Sequence, residues 1–439
     1  MHYKTRSRVG TESDPGKQNM EMAMKRQRSS SDDAKKQQLM ELPTEILLEI
    51  LLRLPAKSVG CIKCVSKTLL NMVNNISFST LHTRLLFATN SPAAADQVPR
   101  LMYCSLNHPA VTLQSVKHKD DTLTKGRYAI TISSSPSCFL CFVFCNVFCL
   151  GSKNGDCMLI NPLGERGVLR LPESSFARLE GGPDVYRNSW FGMGFDDKTN
   201  TYKIVCVTSD GDGFHRSKAM TAHVLVLGSN SWRKISSLPP GQLNWIDDEL
   251  MICSNGAVHW LTCDRRIVSF DFKREEFCLT PTPPTLQSSK TNHLDSNMSL
   301  FTLRGCLAIV ETKRSWRQCG IEIWMLQDFD EKQWVRYYCN NKIKDYFPSQ
   351  FHGPSKFHGP PGEWEHGIFF TFYDLFDTRV FFIDLRDGSI KDVMYPLHGR
   401  PREQEVRDFL IGMYSYSETL ISLKDYGDLD RRAHQVLPD

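Results

Sequence analysis

Hydrophobic positions along this chain have no period before residue 40, a helical period from 40 to 86, and an alternating period beyond 100. In the middle stretch Leu42, Ile46, Leu47, Ile50, Leu51 and Leu54 step by threes and fours. They fall on one face of a helix whose first turn accommodates Pro43, and Glu45, Glu49 and Arg53 lie elsewhere. Pro55 stops that helix, Ser58 is placed to cap a second, and Val59, Ile62, Val65, Leu69 and Val73 continue at helical spacing. The expectation is a helical hairpin with more aliphatic surface than so short a segment can hide within itself. Such an oversupply of Leu and Ile points to a surface meant for a partner.

Beyond residue 100 one kind of segment recurs: a short hydrophobic strand, a polar or Gly turn, then a second strand ending near an aromatic or a Leu-Pro. Its copies lie at 158–172, 224–235, 267–278, 321–334 and 380–390. Anchored on Ile160, Val226, Phe270, Trp324 and Ile383, they are spaced by 66, 44, 54 and 59 residues. These spacings approach the roughly 40 to 50 residues of a propeller blade, with room for insertions. Partner strands at 192–207, 254–261, 305–310 and 367–372 alternate apolar residues behind an entry Gly or polar turn. The densest apolar run, 138–150, is thirteen residues and includes Asn146. It is shorter than the roughly 18 to 20 residues that span a bilayer, so one or two buried strands are expected and no membrane partner.

Composition sharpens this division. A chain of 439 residues fits one large domain plus small appendages. Of its net charge of +4, all resides in residues 1–39, where nine Lys or Arg oppose five acids; the remaining residues hold 44 of each sign. The folded part therefore carries no basic footprint for nucleic acid. The segment 1–39, rich in Ser, Gln, Lys and Met, is expected to be a disordered basic tail. Within it Lys25-Arg26-Gln27-Arg28 reads as a solvated charge cluster, with a weak nuclear import signal as the alternative. No apolar leader region follows the start, so no secretory signal is expected. The odd total of 15 cysteines fits reduced thiols in cytoplasm or nucleus. Cys61 and Cys64, and Cys138 and Cys141 followed by Cys145 and Cys149, have Cys-x-x-Cys spacing. Neither set has a second pair at usable distance, so they are read as small core residues that do not converge, with no metal and no cofactor.

The helical stretch carries Leu42-Pro43, Glu45-Ile46, Ile50-Leu51, Arg53-Leu54-Pro55, Lys57-Ser58 and Lys63-Cys64-Val65-Ser66-Lys67, followed by Phe78 and His82. It closely resembles an F-box. Plant members usually have Trp shortly after the Val-Ser-Lys run, and Leu69 stands there. The β-rich part carries Gly194-Phe195-Asp196, Tyr202-Lys203-Ile204-Val205, Asn255-Gly256 with His259-Trp260, Phe270-Asp271, and the closing Tyr416 to Ser422. These phrases resemble the plant F-box-associated, kelch-like domain.

The resemblance implies an α+β multidomain chain: a small all-α F-box hairpin at 40–86, a linker at 87–99, a large all-β propeller-like domain at 100–425 and a C-terminal tail at 426–439. It further implies a substrate-recognition subunit of a Skp, cullin and F-box ubiquitin ligase. Leu42, Pro43, Ile46, Ile50, Leu51, Leu54, Pro55, Val59, Ile62, Val65, Ser66 and Leu69 would serve hairpin stability and the Skp adaptor together. Cullin and RING subunits would follow through the adaptor. An F-box subunit with a non-degradative assembly role is the alternative, and a propeller enzyme ranks behind it.

The blade-connecting loops are where a target protein would bind. Residues 350–364 nearly repeat Phe-His-Gly-Pro, offering Phe351, His352, Phe357, His358 and Trp364, and 208–220 holds Asp210-Gly-Asp-Gly213. An enzyme reading finds no nucleophile elbow, phosphate loop, complete dinucleotide fingerprint or His-Glu-x-x-His. Gly192-x-Gly194 stops short, His259 reads as a satisfied core residue, and Asp196-Asp197 and Asp247-Asp248 read as turn residues. No catalytic residue is assigned.

Overall fold

The computed structural model describes residues 42–87 and 99–435, apart from connections of which the longest are 175–186, 211–218, 241–249, 288–295, 341–360 and 396–411. The basic tail at 1–39, Asp247-Asp248, and Phe351, His352, Phe357 and His358 lie outside the described residues. The chain divides into two units, one ending at Leu54 and one beginning at Pro55.

The first unit contributes α1 (Thr44–Leu52). Pro43 precedes it with φ −51° and ψ 141°, and its carbonyl accepts the first helical bond from the Leu47 N–H at 3.0 Å. A proline costs nothing there, because the N–H it lacks would have no helical partner. Leu47 and Leu51 are the buried residues of α1.

Three helices open the second unit: α2 (Ala56–Ile62), α3 (Lys67–Val73) and α4 (Ile76–Phe87). The expected second arm of a hairpin is thus broken in two, and the break is at Ser66. Its extended backbone and its hydroxyl, which accepts the Leu69 N–H at 3.2 Å, start a new helix and end the old one. Ser58 does not cap; Pro55 is the residue before α2 and its carbonyl takes the Ser58 and Val59 N–H groups.

The rest of the unit is a six-bladed β-propeller. The chain enters with β1 (Arg100–Asn107), β2 (Ala110–Lys119) and β3 (Thr122–Ser133), paired antiparallel but lacking an innermost strand of their own. Five contiguous four-stranded blades follow. They are β4 (Cys138–Phe144) to β7 (Leu169–Arg170), β8 (Arg187–Asp196) to β11 (Arg233–Ile235), β12 (Ile252–Ser254) to β15 (Glu276–Thr280), β16 (Ser296–Leu303) to β19 (Gln333–Asn340), and β20 (Gly362–Trp364) to β23 (Ile390–Tyr395). The five sequence anchors all lie on or directly at third strands, from Ile160 on β6 (Cys157–Ile160) to Ile383 on β22 (Thr378–Asp384). The run at 138–150 is two strands, β4 and β5 (Val147–Ser152), joined through Cys145 at φ 53°.

The sixth blade is assembled from both ends of the domain. β24 (Gly412–Tyr416) pairs with β1, Tyr416 opposite Arg100, and becomes the innermost strand; β25 (His434–Gln435) pairs with β3 on the outside. Residues 426–435, expected as a tail, are therefore part of the propeller. The Asp430 N–H donates to the Val168 carbonyl at 2.8 Å and the Val168 N–H returns the bond at 3.2 Å. The innermost strands β4, β8, β12, β16, β20 and β24 neighbour one another in a ring, and six hydrophobic clusters fill the spaces between adjacent blades.

The recurring phrases acquire physical reasons in these spaces. Gly194 is crossed by the Phe272 ring and Gly192 by Val258; a Cβ at either would lie 2.2 or 2.4 Å from them. The Gly-x-Gly pair thus lets two blades approach and binds no phosphate. The aromatic-plus-proline ending ties blades: the Trp232 indole donates to the Pro172 carbonyl at 3.0 Å, and Trp334 to the Pro281 carbonyl at 2.8 Å.

Candidate functional site

α1 and the residues just before it wear several apolar side chains outward. Leu42, Ile46 and Ile50 are 36%, 50% and 42% exposed, and Pro43 is exposed with them. Four-residue spacing aligns Leu42, Ile46 and Ile50 in one stripe along α1 and its N-terminal approach. An isolated exposed aliphatic needs no explanation; three in a row, on a helix that buries Leu47 and Leu51, describe a face awaiting a partner.

The other residues expected at the adaptor divide by burial. Leu51 is 2% exposed in the first unit, and Val59 and Leu69 are 0% and 2% exposed in the second. Leu54, Pro55, Ile62 and Ser66 are half-buried, and Val65 is 43% exposed. Leu69, standing where Trp is usual, fills an interior position, so a Trp there would overpack the helices before it reached any partner.

The last F-box helix is fastened to the propeller. The Tyr202 hydroxyl donates to Thr83 Oγ1 at 2.6 Å, and the Thr83 hydroxyl donates to the Ser79 carbonyl at 2.9 Å, both within buried surroundings. Tyr202, on β9 (Thr201–Asp210), is wedged among Phe144, Phe195 and Tyr426, and burial pushes its phenol well above the ordinary range. Thr83 and Tyr202 were missed in the sequence, which offers no signal for a bond between residues so far apart.

Beside this contact a recess of about 970 Å³ opens, lined by Arg84, Phe144, Phe195 and Phe329 with charged turn residues. Among its charges Lys273 pairs with Asp197 at 3.2 Å, and Arg274 with Asp271 and Asp330 at 3.7 Å each. Behind the turns Lys203 sits 2.7 Å from Asp196 and 2.8 Å from Glu275, which also meets Arg233 at 2.6 Å. Burial works against ionising Asp196 and Glu275, but Lys203, helped by Thr199 and Lys198 at one and Arg233 at the other, holds both carboxyls below their usual range. This cluster explains the Phe-Asp and Tyr-Lys-Ile-Val phrases as a bolt between two blades.

Strand ends locate the opposite face. Tyr202 lies beside the β8–β9 turn, so the other end of β9, at residue 210, lies away from α4. By the same antiparallel alternation, Asn340 at the end of β19 and Gly362 at the start of β20 lie at that far face. Trp364, expected to be exposed there, is not: it is 7% exposed on β20, edge-on to His118 at 4.9 Å and tilted against Phe382 at 4.8 Å. As the last residue of β20, Trp364 belongs to the sheet and packs into the apolar cluster with Val380 and Phe382.

The titratable residues weighed for catalysis are structural. His259 is fully buried, its Nδ1 2.7 Å from Ser269 Oγ and its Nε2 3.2 Å from the Ser254 carbonyl, and burial pulls its pKa down to about 3. Asp196 closes its own turn, accepting the Lys198 N–H at 2.9 Å.

The cysteines depart from expectation. Cys138 packs on one face of the first blade and Cys145 occupies a turn, but Cys141 and Cys149 meet on the other face, together with Cys157, which the spacing argument had not included. Burial pushes the Cys141 and Cys149 thiols up. Hydrogen bonds from Cys141 and Cys149 hold Cys157 below the ordinary thiol range.

A helical adaptor module followed by a propeller defines an F-box class of protein. An F-box domain profile matches residues 39–80 and an F-box associated beta propeller domain profile matches residues 94–394, so the chain belongs to the family of F-box proteins carrying that propeller. Among curated relatives, F-box protein CPR1 of Arabidopsis thaliana is 24% identical over 69% of this chain and 74% of its own length. F-box protein At3g07870 of the same plant is 26% identical over 71% and 74%. F-box/kelch-repeat protein At4g19930, also from A. thaliana, is 23% identical over 67% and 68%. The F-box implies binding to a Skp-like adaptor. Among the described residues no helix is long and apolar enough to cross a membrane.

Proposed function

We propose that this chain is the substrate-recognition subunit of a Skp–cullin–F-box ubiquitin ligase. The observation that carries the reading is the outward stripe of Leu42, Ile46 and Ile50 on an F-box helix, a surface that stability of the chain does not require. The adaptor covers that stripe and brings cullin and RING subunits; the propeller holds a target protein at the face away from α4, where β19 ends and β20 begins. The chain then acts without a catalytic residue, by raising the effective concentration of target lysines near the conjugating enzyme.

The test separates holding a target from delivering it. Removing 40–86 would also remove α4, which is bonded to the propeller, so the variant of choice is Leu42→Ala, Ile46→Ala, Ile50→Ala in the full chain. The unaltered chain is expected to copurify adaptor and cullin and to shorten the half-life of proteins found by proximity labelling under proteasome block. The variant, in excess, is expected to bind the same proteins and lengthen their half-lives. A variant that binds them and still accelerates their loss would rule out the receptor reading.

A further inference from the structure

Three sulfurs converge inside the first blade. Cys141 on β4, Cys149 on β5 and Cys157 on β6 have Sγ atoms all within 4.8 Å of one another, and all three residues are buried. Cys149 and Cys157 share a face by register: Cys149 is opposite Leu159 and Cys157 opposite Gly151, which sets the two cysteines diagonally on adjacent strands. Cys141 joins them through an irregularity. Pairing shifts between Leu140 and Phe142, leaving Cys141 as the extra residue of a β-bulge. As a result Cys141 and Phe142 pack toward the second blade, and Leu140 packs on the opposite side. Bulges re-aim side chains. Gly151 then supplies room, because a Cβ there would lie 2.6 Å from Cys141 Sγ. A bulge and a glycine each weaken a sheet, and here both aim the third sulfur at the other two.

We propose that Cys141, Cys149 and Cys157 form a three-sulfur site for a soft, closed-shell monovalent cation, copper(I) being the biological ion of that class. Thiolate ligands select copper(I), zinc or iron–sulfur clusters. Structural zinc almost always takes four ligands, and among the described residues the converging ligand atoms here number three, without imidazole or carboxylate. A monovalent ion reaches neutrality with one thiolate where zinc needs two, which favours it in an apolar core that penalises net charge. Each thiolate formed releases one proton. Because the site is walled by Phe142, Phe144, Val147 and Leu159, the ion enters as the blade forms.

The experiment uses the full chain, produced in copper-supplemented cells and purified without oxygen in the presence of a copper(I) chelator that strips the exposed Cys61, Cys64 and Cys339. About one copper per chain is expected, with X-ray absorption giving three sulfur neighbours and no nitrogen or oxygen. Cys149→Ser and Cys157→Ser are expected to lower the copper at least tenfold, and Gly151→Ala to lower it by displacing Cys141. Cys138→Ser, whose thiol packs on the other face, is expected to keep it. Should the Ser variants fail to fold, the absorption spectrum of the unaltered chain decides alone. Less than a tenth of an equivalent of copper, an equivalent of zinc in its place, a different ligand shell, or copper kept by Cys157→Ser would each overturn the site.

Discussion

α1 and β22 are both crowded with large apolar residues, aliphatic alone in α1 and aliphatic with aromatic in β22, yet they dispose of them in opposite ways. Val380, Phe381, Phe382 and Ile383 on β22 are 0% exposed, whereas Ile46 and Ile50 on α1 are about half exposed. A strand inside a propeller has a blade on each side and buries successive side chains on both faces. A nine-residue helix buries one stripe, and any apolar residue beyond it has to be covered by another molecule. Apolar residues are therefore interior in one place and at the surface in the other, and burial tells them apart.

The strongest way to break this comparison is to open the ring. Ending the chain before Gly412 removes β24 and β25, leaving β1 without its inner partner and β20 and β4 without a neighbour. The cooperative thermal transition is expected to vanish and protease resistance with it; a truncated chain that melts as the full chain does would mean that closure holds nothing together. Next in size, the Leu42, Ile46, Ile50 triple alanine variant is expected to weaken the adaptor about a thousandfold. That is roughly 4 kcal/mol, from about 0.8 kcal/mol per buried methylene and 1.4 kcal/mol per decade. Its melting temperature should stay put, while Val59→Ala, at a buried position, should cost about 2 kcal/mol of stability. Calorimetry of both variants would expose a reversed assignment.

Within the propeller, Lys203→Met leaves the buried Asp196 without its cation and Glu275 with Arg233 alone, and about 3 kcal/mol should be lost. The pH dependence has a definite sign. Both carboxyls titrate lower in the folded chain than in the unfolded one, so their contribution is complete above the ordinary carboxylate range and is lost as pH falls through their folded values. The unaltered chain should lose more stability on acidification than Lys203→Met does, a difference read from denaturant midpoints across pH. The smallest effect is expected from Tyr202→Phe, which removes one hydrogen bond to Thr83 and should cost about 1 kcal/mol. Faster amide exchange in α4, with the blades unchanged, would register it.

Much of this was readable in advance, for a physical reason in each case. The F-box helix was legible because Pro43 and Pro55 bracket a helical period, and five blades because third strands repeat with their turns. The sixth blade was not, since its strands sit roughly 300 residues apart and share no local phrase. The split at Ser66 was hidden because Val65 and Leu69 keep helical spacing across it. Trp364 misled because a run of Pro and Gly before it reads as loop up to the residue where β20 has already begun. Spacing also hid the sulfur cluster: Cys157 belongs with Cys141 only because a bulge turns one of them around.

The closing blade bears on how the molecule is born. During synthesis α1 leaves the ribosome some 360 residues before Gly412, a lag of about 20 to 70 s at 5 to 20 residues per second. For that interval the exposed Ile46 and Ile50 of α1 have left the ribosome while the ring is still open, so the two units of the chain are born at different times.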